Sequence, residues 1–140
     1  MLCSEIMHKP VKWIADEDTA LTAARLMRDE NIGFLPVCDR SGRVVGTVTD
    51  RDLTLRILAE NFPAETRIVE VMSKHVVACS PTDEIQKAEQ LMGNHHKSRV
   101  VCTDADGHLL GVVSISDIAQ HDDGWRVART VRKVTTRETR

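Results

Sequence analysis

Gly46-Thr47-Val48-Thr49-Asp50-Arg51-Asp52-Leu53 is echoed 65 residues further on by Gly111-Val112-Val113-Ser114-Ile115-Ser116-Asp117-Ile118. The echo extends upstream without a gap. Residues 5–53 fall on 70–118, and thirteen of those 49 positions are identical. Apolar pairs recur (Met7 with Met72, Leu26-Met27 with Leu91-Met92), and so do turn residues (Asp39 with Asp104, Gly42 with Gly107, Gly46 with Gly111). A repeat that aligns core positions and turn positions together is one supersecondary unit present twice. Two copies must pack to bury their apolar faces.

Each copy reads in the same order. A short extended run, Val11–Ile14 or Val76–Cys79, comes first. Asp18 and Asp83 then stand where a carboxylate can accept the free N–H groups of a first helical turn. Ala20, Ala23, Ala24 and Met27 keep helical spacing, as do Ile85, Ala88 and Met92. The helices are expected to end near Asn31 and near Gly93-Asn94, which tolerate left-handed backbone. Strands follow at Phe34–Cys38 and Arg99–Cys102. The Asp- and Gly-bearing turns 39–42 and 104–107 come next, then returning strands at Val44–Thr49 and Leu109–Ser114. A second short helix opens at Asp50 and at Ile115. The expected fold is therefore α+β, two tandem β-α-β-β-α repeats packed with pseudo-twofold symmetry. The expected boundaries are 1–60 for the first repeat, 61–70 for a Pro-containing linker, 71–122 for the second repeat and 123–140 for a basic tail. Ile68–Met72 is expected to form a helical turn.

The echoed stretch also carries the chemistry. A strand end, a hydroxyl residue (Thr49 or Ser114) and an acid three positions later (Asp52 or Asp117) meet at a helix start. Free backbone N–H groups there favour an anion. The hydroxyl can bond a ligand oxygen, and the carboxylate can accept both hydroxyls of a vicinal diol such as a ribose. The same spacing also suits a simple helix cap, with the hydroxyl as N-cap and the acid in the first turn.

With these residues in view, the chain resembles tandem CBS (cystathionine-β-synthase) domains, a pair of which forms a Bateman module. The resemblance spans about residues 5–120. It rests on Met7 and Met72, Ile32-Gly33-Phe34-Leu35-Pro36-Val37-Cys38-Asp39, Gly42, and the two echoed stretches. The second copy departs in having Val101 where the first has Pro36, and Ile115-Ser116 where the first has Asp50-Arg51. The resemblance implies a non-enzymatic regulatory module that requires no cofactor. It would bind adenosine-containing ligands (AMP, ADP, ATP, S-adenosylmethionine or NAD) in clefts between the repeats and relay this to an effector protein. It implies a homodimer. It implies that Asp52 and Asp117 hold ribose hydroxyls, and that Thr49, Arg51, Ser114 and Ser116 face phosphates. The backbone at Thr47 and Val112 would read the adenine edge, Val11 and Val76 would wall the base, and Arg99 would lend positive charge.

Composition narrows the alternatives. The 140 residues are 41% hydrophobic and 29% charged, as in a globular domain. No run approaches a membrane-spanning length. Residues 1–10 lack an apolar signal core, so a cytoplasmic location is expected. Aromatics are 3% and the net charge is −2, which argues against a base-stacking or polyanion-binding surface. Charge is uneven, however. Residues 125–140 hold six basic side chains (Arg126, Arg129, Arg132, Lys133, Arg137, Arg140) against Glu138 alone, whereas 1–124 carry 13 basic and 20 acidic residues. The tail reads as a partly helical end anchored by a buried Trp125 ring, or alternatively as an arm for nucleic acid. Cys3, Cys38, Cys79 and Cys102 contain no C-x-x-C pair and read as reduced thiols. His95, His96, Cys102 and His108 fit no common zinc spacing, and neither Cys38 nor Cys102 has the base that a nucleophile needs. Two other readings stay open: a redox- or metal-responsive interaction protein without a nucleotide, and a nucleic-acid-associated regulator acting through the tail.

Overall fold

The computed structural model describes residues 1–9 and 11–136. In it the chain folds as two compact units, one made of Lys12–Val76 and the other of Met1–Val11 together with Val77–Arg140. Arg137, Glu138 and Arg140 lie outside the described residues.

In the Lys12–Val76 unit, β1 (Ile14–Ala15) runs parallel to β2 (Phe34–Cys38), and β2 pairs antiparallel with β3 (Val44–Thr49). Helix α2 (Ala20–Glu30) crosses between β1 and β2 and buries Ala20, Ala23 and Met27 against Leu35, Val37 and Val48. Its N-cap is Thr19, whose hydroxyl accepts from the Thr22 N–H at 3.1 Å. Asp18, expected at that place, accepts instead from the Ala15 N–H and ties the turn before the helix. The helix ends at Asn31 in left-handed geometry, as its residue type predicts. The β2–β3 turn is held by Asp39 Oδ1, which accepts from Ser41 and Arg43 N–H groups. Helix α3 (Asp50–Leu53) continues as a π-helical stretch, Thr54–Leu58.

The other unit repeats the plan. Strand β4 (Ala78–Cys79) is parallel to β5 (Arg99–Thr103), which pairs antiparallel with β6 (Leu109–Ser114). Helix α4 (Ile85–His95) lies across this sheet. Its N-cap is Glu84, because Asp83 is spent on the Ser80 N–H at 2.8 Å. It runs past the expected Gly93-Asn94 stop to a left-handed His96, whose Nδ1 bonds the Lys133 carbonyl at 2.7 Å. That tertiary contact, absent from any local pattern, moves the helix end. Helices α5 (Ile115–Ala119) and α6 (Gly124–Thr135) complete the unit. The described part of the basic tail is therefore a helix packed on α4 through Thr130 and Val134, but Trp125 does not anchor it. The indole is 70% exposed, and Arg129 stacks over it at 5.2 Å.

The first extended runs are shorter than expected, since Val11 and Val76 precede the strands. In each unit the segment that caps the sheet precedes the other sequence copy. The 3-10 turn Ile68–Glu70 buries Ile68 beside α2, with Ile68 N–H on the Asp18 carbonyl at 2.7 Å. Helix α1 (Cys3–Ile6) does the same beside α4, with Cys3 N–H on the Asp83 carbonyl at 2.8 Å. The duplicated glycines are needed here. A Cβ on Gly46 would stand 2.6 Å from Met72 Sδ and 2.7 Å from the Ser73 carbonyl. One on Gly111 would stand 2.6 Å from Met7 Sδ and 3.0 Å from the His8 carbonyl. Only glycine lets the capping segment lie directly on the sheet.

Candidate functional site

Both echoed stretches end as their residue types dictate, in a capping box. The Asp52 N–H donates to Thr49 Oγ1 at 3.1 Å, and the Thr49 N–H donates to Asp52 Oδ2 at 2.9 Å. The Ser114 and Asp117 pair repeats this at 3.1 and 2.9 Å, with the Ser114 hydroxyl also donating to Asp117 Oδ2 at 2.8 Å. Each carboxylate is thus oriented by its own helix start, with one oxygen committed to the cap. The other oxygen, Oδ1, takes no part in the cap. The Asp52 and Asp117 side chains are 17% and 13% exposed.

What meets that second oxygen differs between the copies. Asp52 Oδ1 faces Arg56 Nη2 at 3.5 Å, and Arg56 also donates to the Val71 carbonyl at 2.7 Å and to Ser73 Oγ at 3.3 Å. Asp117 Oδ1 instead meets His8 Nε2 at 2.8 Å. Neither Arg56 nor His8 was among the residues singled out from the sequence. The four-residue spacing from Asp52 to Arg56 on a helix could have signalled the first pair. No local signal points to His8, which arrives 109 residues away along the chain, on the capping segment.

The other expected site residues fall into two groups. Thr47, Thr49, Arg51, Asp52 and Val76 belong to the Lys12–Val76 unit, whereas Val11, Arg99, Val112, Ser114, Ser116 and Asp117 belong to the other. Arg99 pairs in register with Ser114, so its exposed side chain starts beside the second capping box. Arg51 and Ser116 are exposed in the first turns of α3 and α5. Val11 and Val76 are half-buried. The backbone expected to read a base is already engaged. Thr47 N–H and C=O exchange bonds with Ser73 at 3.0 and 2.9 Å, and Val112 does the same with His8 at 3.3 and 2.9 Å. A ligand there has the second carbonyl lone pair to use, but not the N–H.

The residues considered for metal or nucleophilic roles are dispersed. His96 bonds α6, Cys102 lies in the core, and His108 sits in the β5–β6 turn against Asp104 at 3.2 Å. Asp104, Asp106 and His108 do cluster. However, Asp104 Oδ1 accepts from the Asp106 and His108 N–H groups, the same turn chemistry that Asp39 performs in the other unit. Burial pushes the Cys38 thiol up to about 11, so it is poorly disposed to act as a thiolate. No helix among the described residues is long and apolar enough to cross a membrane.

Comparisons with known proteins agree with this architecture. The chain is 34% identical over 115 residues to the CBS domain-containing protein YhcV of Bacillus subtilis, covering 82% of this chain and 81% of that one. The structure matches the CBS domain pair of protein MJ0100 in complex with 5-methylthioadenosine and S-adenosyl-L-methionine. The TM-score is 0.74 with 26% identity, covering 86% of this chain and 94% of the other. It also matches the CBS domain protein PAE2072 of Pyrobaculum aerophilum complexed with AMP. There the TM-score is 0.79 with 22% identity, covering 93% and 98%. The family model for the CBS domain matches twice, at residues 3–59 and 68–124, and with both copies accounted for the chain belongs to the CBS domain family.

Proposed function

We propose that this protein is a non-enzymatic sensing module that binds adenosine-containing small molecules and relays their presence to another protein. One observation carries the reading. Twice, at equivalent positions, a carboxylate is held by a capping box with one oxygen committed to the helix start and the other against a nitrogen-bearing side chain, Arg56 or His8. Such an oxygen can accept the hydroxyls of a ribose once its partner gives way, while the free N–H groups of the helix start favour a phosphate or carboxylate on the same ligand. Two CBS relatives of known structure hold AMP, or S-adenosylmethionine with methylthioadenosine, which supports the adenosine class without choosing within it.

In this reading Asp52 and Asp117 grip the sugar. Thr49 and Arg51 in one unit, and Ser114, Ser116 and Arg99 in the other, serve the anionic part of a ligand, Thr47 and Val112 offer carbonyl oxygens, and Val11 and Val76 supply apolar walls. Arg56 and His8 join the set as the side chains that hold each carboxylate until a ligand takes their place. Binding acts on a partner only through a difference in affinity between two states of the module. Thermal denaturation with AMP, ATP, S-adenosylmethionine and NAD tests the reading. A ligand at 100 times its dissociation constant stabilises by about 2.7 kcal/mol. The Asp52→Ala plus Asp117→Ala variant is expected to lose that gain. A wild type indifferent to every adenosine compound, or a double variant that responds as the wild type does, overturns it.

A further inference from the structure

None of the residues assigned to the adenosine sites lines a cavity of about 250 Å³ that lies between α4 and α6. Both of its walls belong to the Met1–Val11 and Val77–Arg140 unit. Helix α4 brings Gln86, Glu89 and Gln90 to it. Helix α6 brings Arg126, Arg129, Thr130 and Lys133. Each set keeps i, i+3, i+4 spacing, so each is one face of its helix. The faces are joined at Glu89, which is 5% exposed and accepts the Thr130 hydroxyl at 3.1 Å. Gly93, one turn further along α4, makes room for the Lys133 stem, since a Cβ there would stand 3.0 Å from Lys133 Cδ. Shifted by 65 residues, Gln86, Glu89, Gln90 and Gly93 become Leu21, Ala24, Arg25 and Arg28, so the sister helix α2 lacks this set. The CBS family match stops at residue 124, where α6 begins, and one wall of the cavity is therefore an addition to the shared fold.

Charge decides what such a cavity suits. Arg126, Arg129 and Lys133 face Glu89 alone across it, so the lining is cationic whether or not Glu89 is ionised. Asp122 engages Arg126 at 3.6 Å, whereas Arg129 and Lys133 have no ion pair among the described residues. The Arg129 guanidinium stacks over Trp125 at 5.2 Å. Stacking occupies the flat face of a guanidinium and leaves its edge N–H groups able to donate. The Gln86 and Gln90 amides add neutral donors. A cationic hollow rich in N–H donors recognises an oxyanion. Its volume falls below the about 300–1,000 Å³ of pockets that hold drug-sized ligands, so the occupant is small. We propose that the α4–α6 cavity binds a small multivalent oxyanion bearing phosphate or carboxylate groups, with Arg129 and Lys133 as the principal cations and Gln86 and Gln90 as further donors. Occupancy clips the C-terminal helix to α4, whether or not Asp52 and Asp117 hold an adenosine compound.

Calorimetric titration of the full-length chain with pyrophosphate and with citrate, at constant ionic strength, tests this. The wild type is expected to take up one equivalent of at least one of them, and the tighter binder identifies phosphate or carboxylate as the preferred group. Arg129→Gln and Lys133→Gln are each expected to weaken that binding by about 10-fold. Arg43→Gln, which removes an exposed charge from the other unit, is expected to bind as the wild type does. Arg129 and Lys133 are exposed, so both variants are expected to fold, and circular dichroism checks it. The anion is also expected to shift the side-chain amide NMR signals of Gln86 and Gln90 in the wild type, a readout that needs no variant. Shifts confined to residues 47–53 and 112–118 would put the anion at the capping boxes and overturn the proposal while leaving the adenosine reading intact. A wild type that binds neither anion overturns it too, as do folded Arg129→Gln and Lys133→Gln variants with undiminished affinity.

Discussion

At the scale of single residues, the two copies are not interchangeable. Arg51 gives the Asp52 end a cation where the other copy has Ser116. The Arg51→Ala variant is therefore expected to lose affinity for ATP while keeping its affinity for adenosine, and calorimetric titration of both ligands checks this. Equal losses count against it. Asp117 is paired with His8, whose charge depends on protonation, whereas Asp52 is paired with a permanently charged guanidinium. The glycines on which the capping segments lie make a second residue-level prediction. Gly46→Ala and Gly111→Ala each place a methyl group 2.6 Å from a methionine sulphur and against the carbonyl of the next residue. Each is expected to cost about 1–3 kcal/mol in chemical denaturation. Gly124→Ala, with nothing near its Cβ, is the control.

At the scale of elements, the segment leading into α6 is held to α4 by a carboxyl pair. Glu89 is 5% exposed and accepts the Thr130 hydroxyl at Oε2. Its Oε1 and Asp122 Oδ2 are both buried and have no conventional donor, which is what two carboxyl groups sharing one proton would leave. Burial, then the bond to Asp122, push Glu89 up to about 7, while that same bond draws Asp122 down. Arg126 faces the pair from α6, 3.6 Å from Asp122, and Arg129 and Lys133 line the adjoining cavity of about 250 Å³. Because the folded carboxyl keeps its proton where an unfolded one has lost it, the native state binds more protons between about pH 4.5 and 7. Stability is then expected to fall as pH rises through that window and to level off above it. Glu89→Gln is expected to flatten the slope in urea denaturation measured at pH 5 and pH 8. A slope unchanged by that substitution would rule out Glu89 as its origin.

At the scale of the whole molecule, each unit borrows a segment from the far side of a repeat boundary. Cys3 and Ile6 are core residues of a unit that otherwise begins at Val77. Removing residues 1–7 is therefore expected to strip hydrogen-exchange protection from α4, β5 and β6, since burying a large apolar side chain contributes about 1.5–3 kcal/mol. Unchanged protection there would show that α1 is dispensable. We also propose that the protein self-associates. Leu58 is 77% exposed, with Leu55 and Phe62 about half exposed on the same helical stretch and its exit. A second copy of the chain is the occupant proposed, because a two-fold contact lets one apolar patch cover its own counterpart. Light scattering is expected to give a dimer for the wild type and a monomer for Leu58→Glu. A monomeric wild type would dispose of the idea.

The sequence by itself determined the duplicated element order, the hairpin turns at Asp39–Gly42 and Asp104–Gly107, the left-handed stop at Asn31 and the two capping boxes. All of these depend on residues within a few positions of one another, where backbone preference and short hydrogen bonds decide. The tertiary structure alone decided what those short-range signals do not contain. It placed His8 and Arg56 on the two carboxylates, carried α4 on to His96, left the Trp125 ring in solvent, and gathered three widely spaced cysteines into one core. The reason is physical: a packing partner or an ion-pair partner is chosen by which surfaces the folded sheets bring together, and chain separation carries no record of that choice.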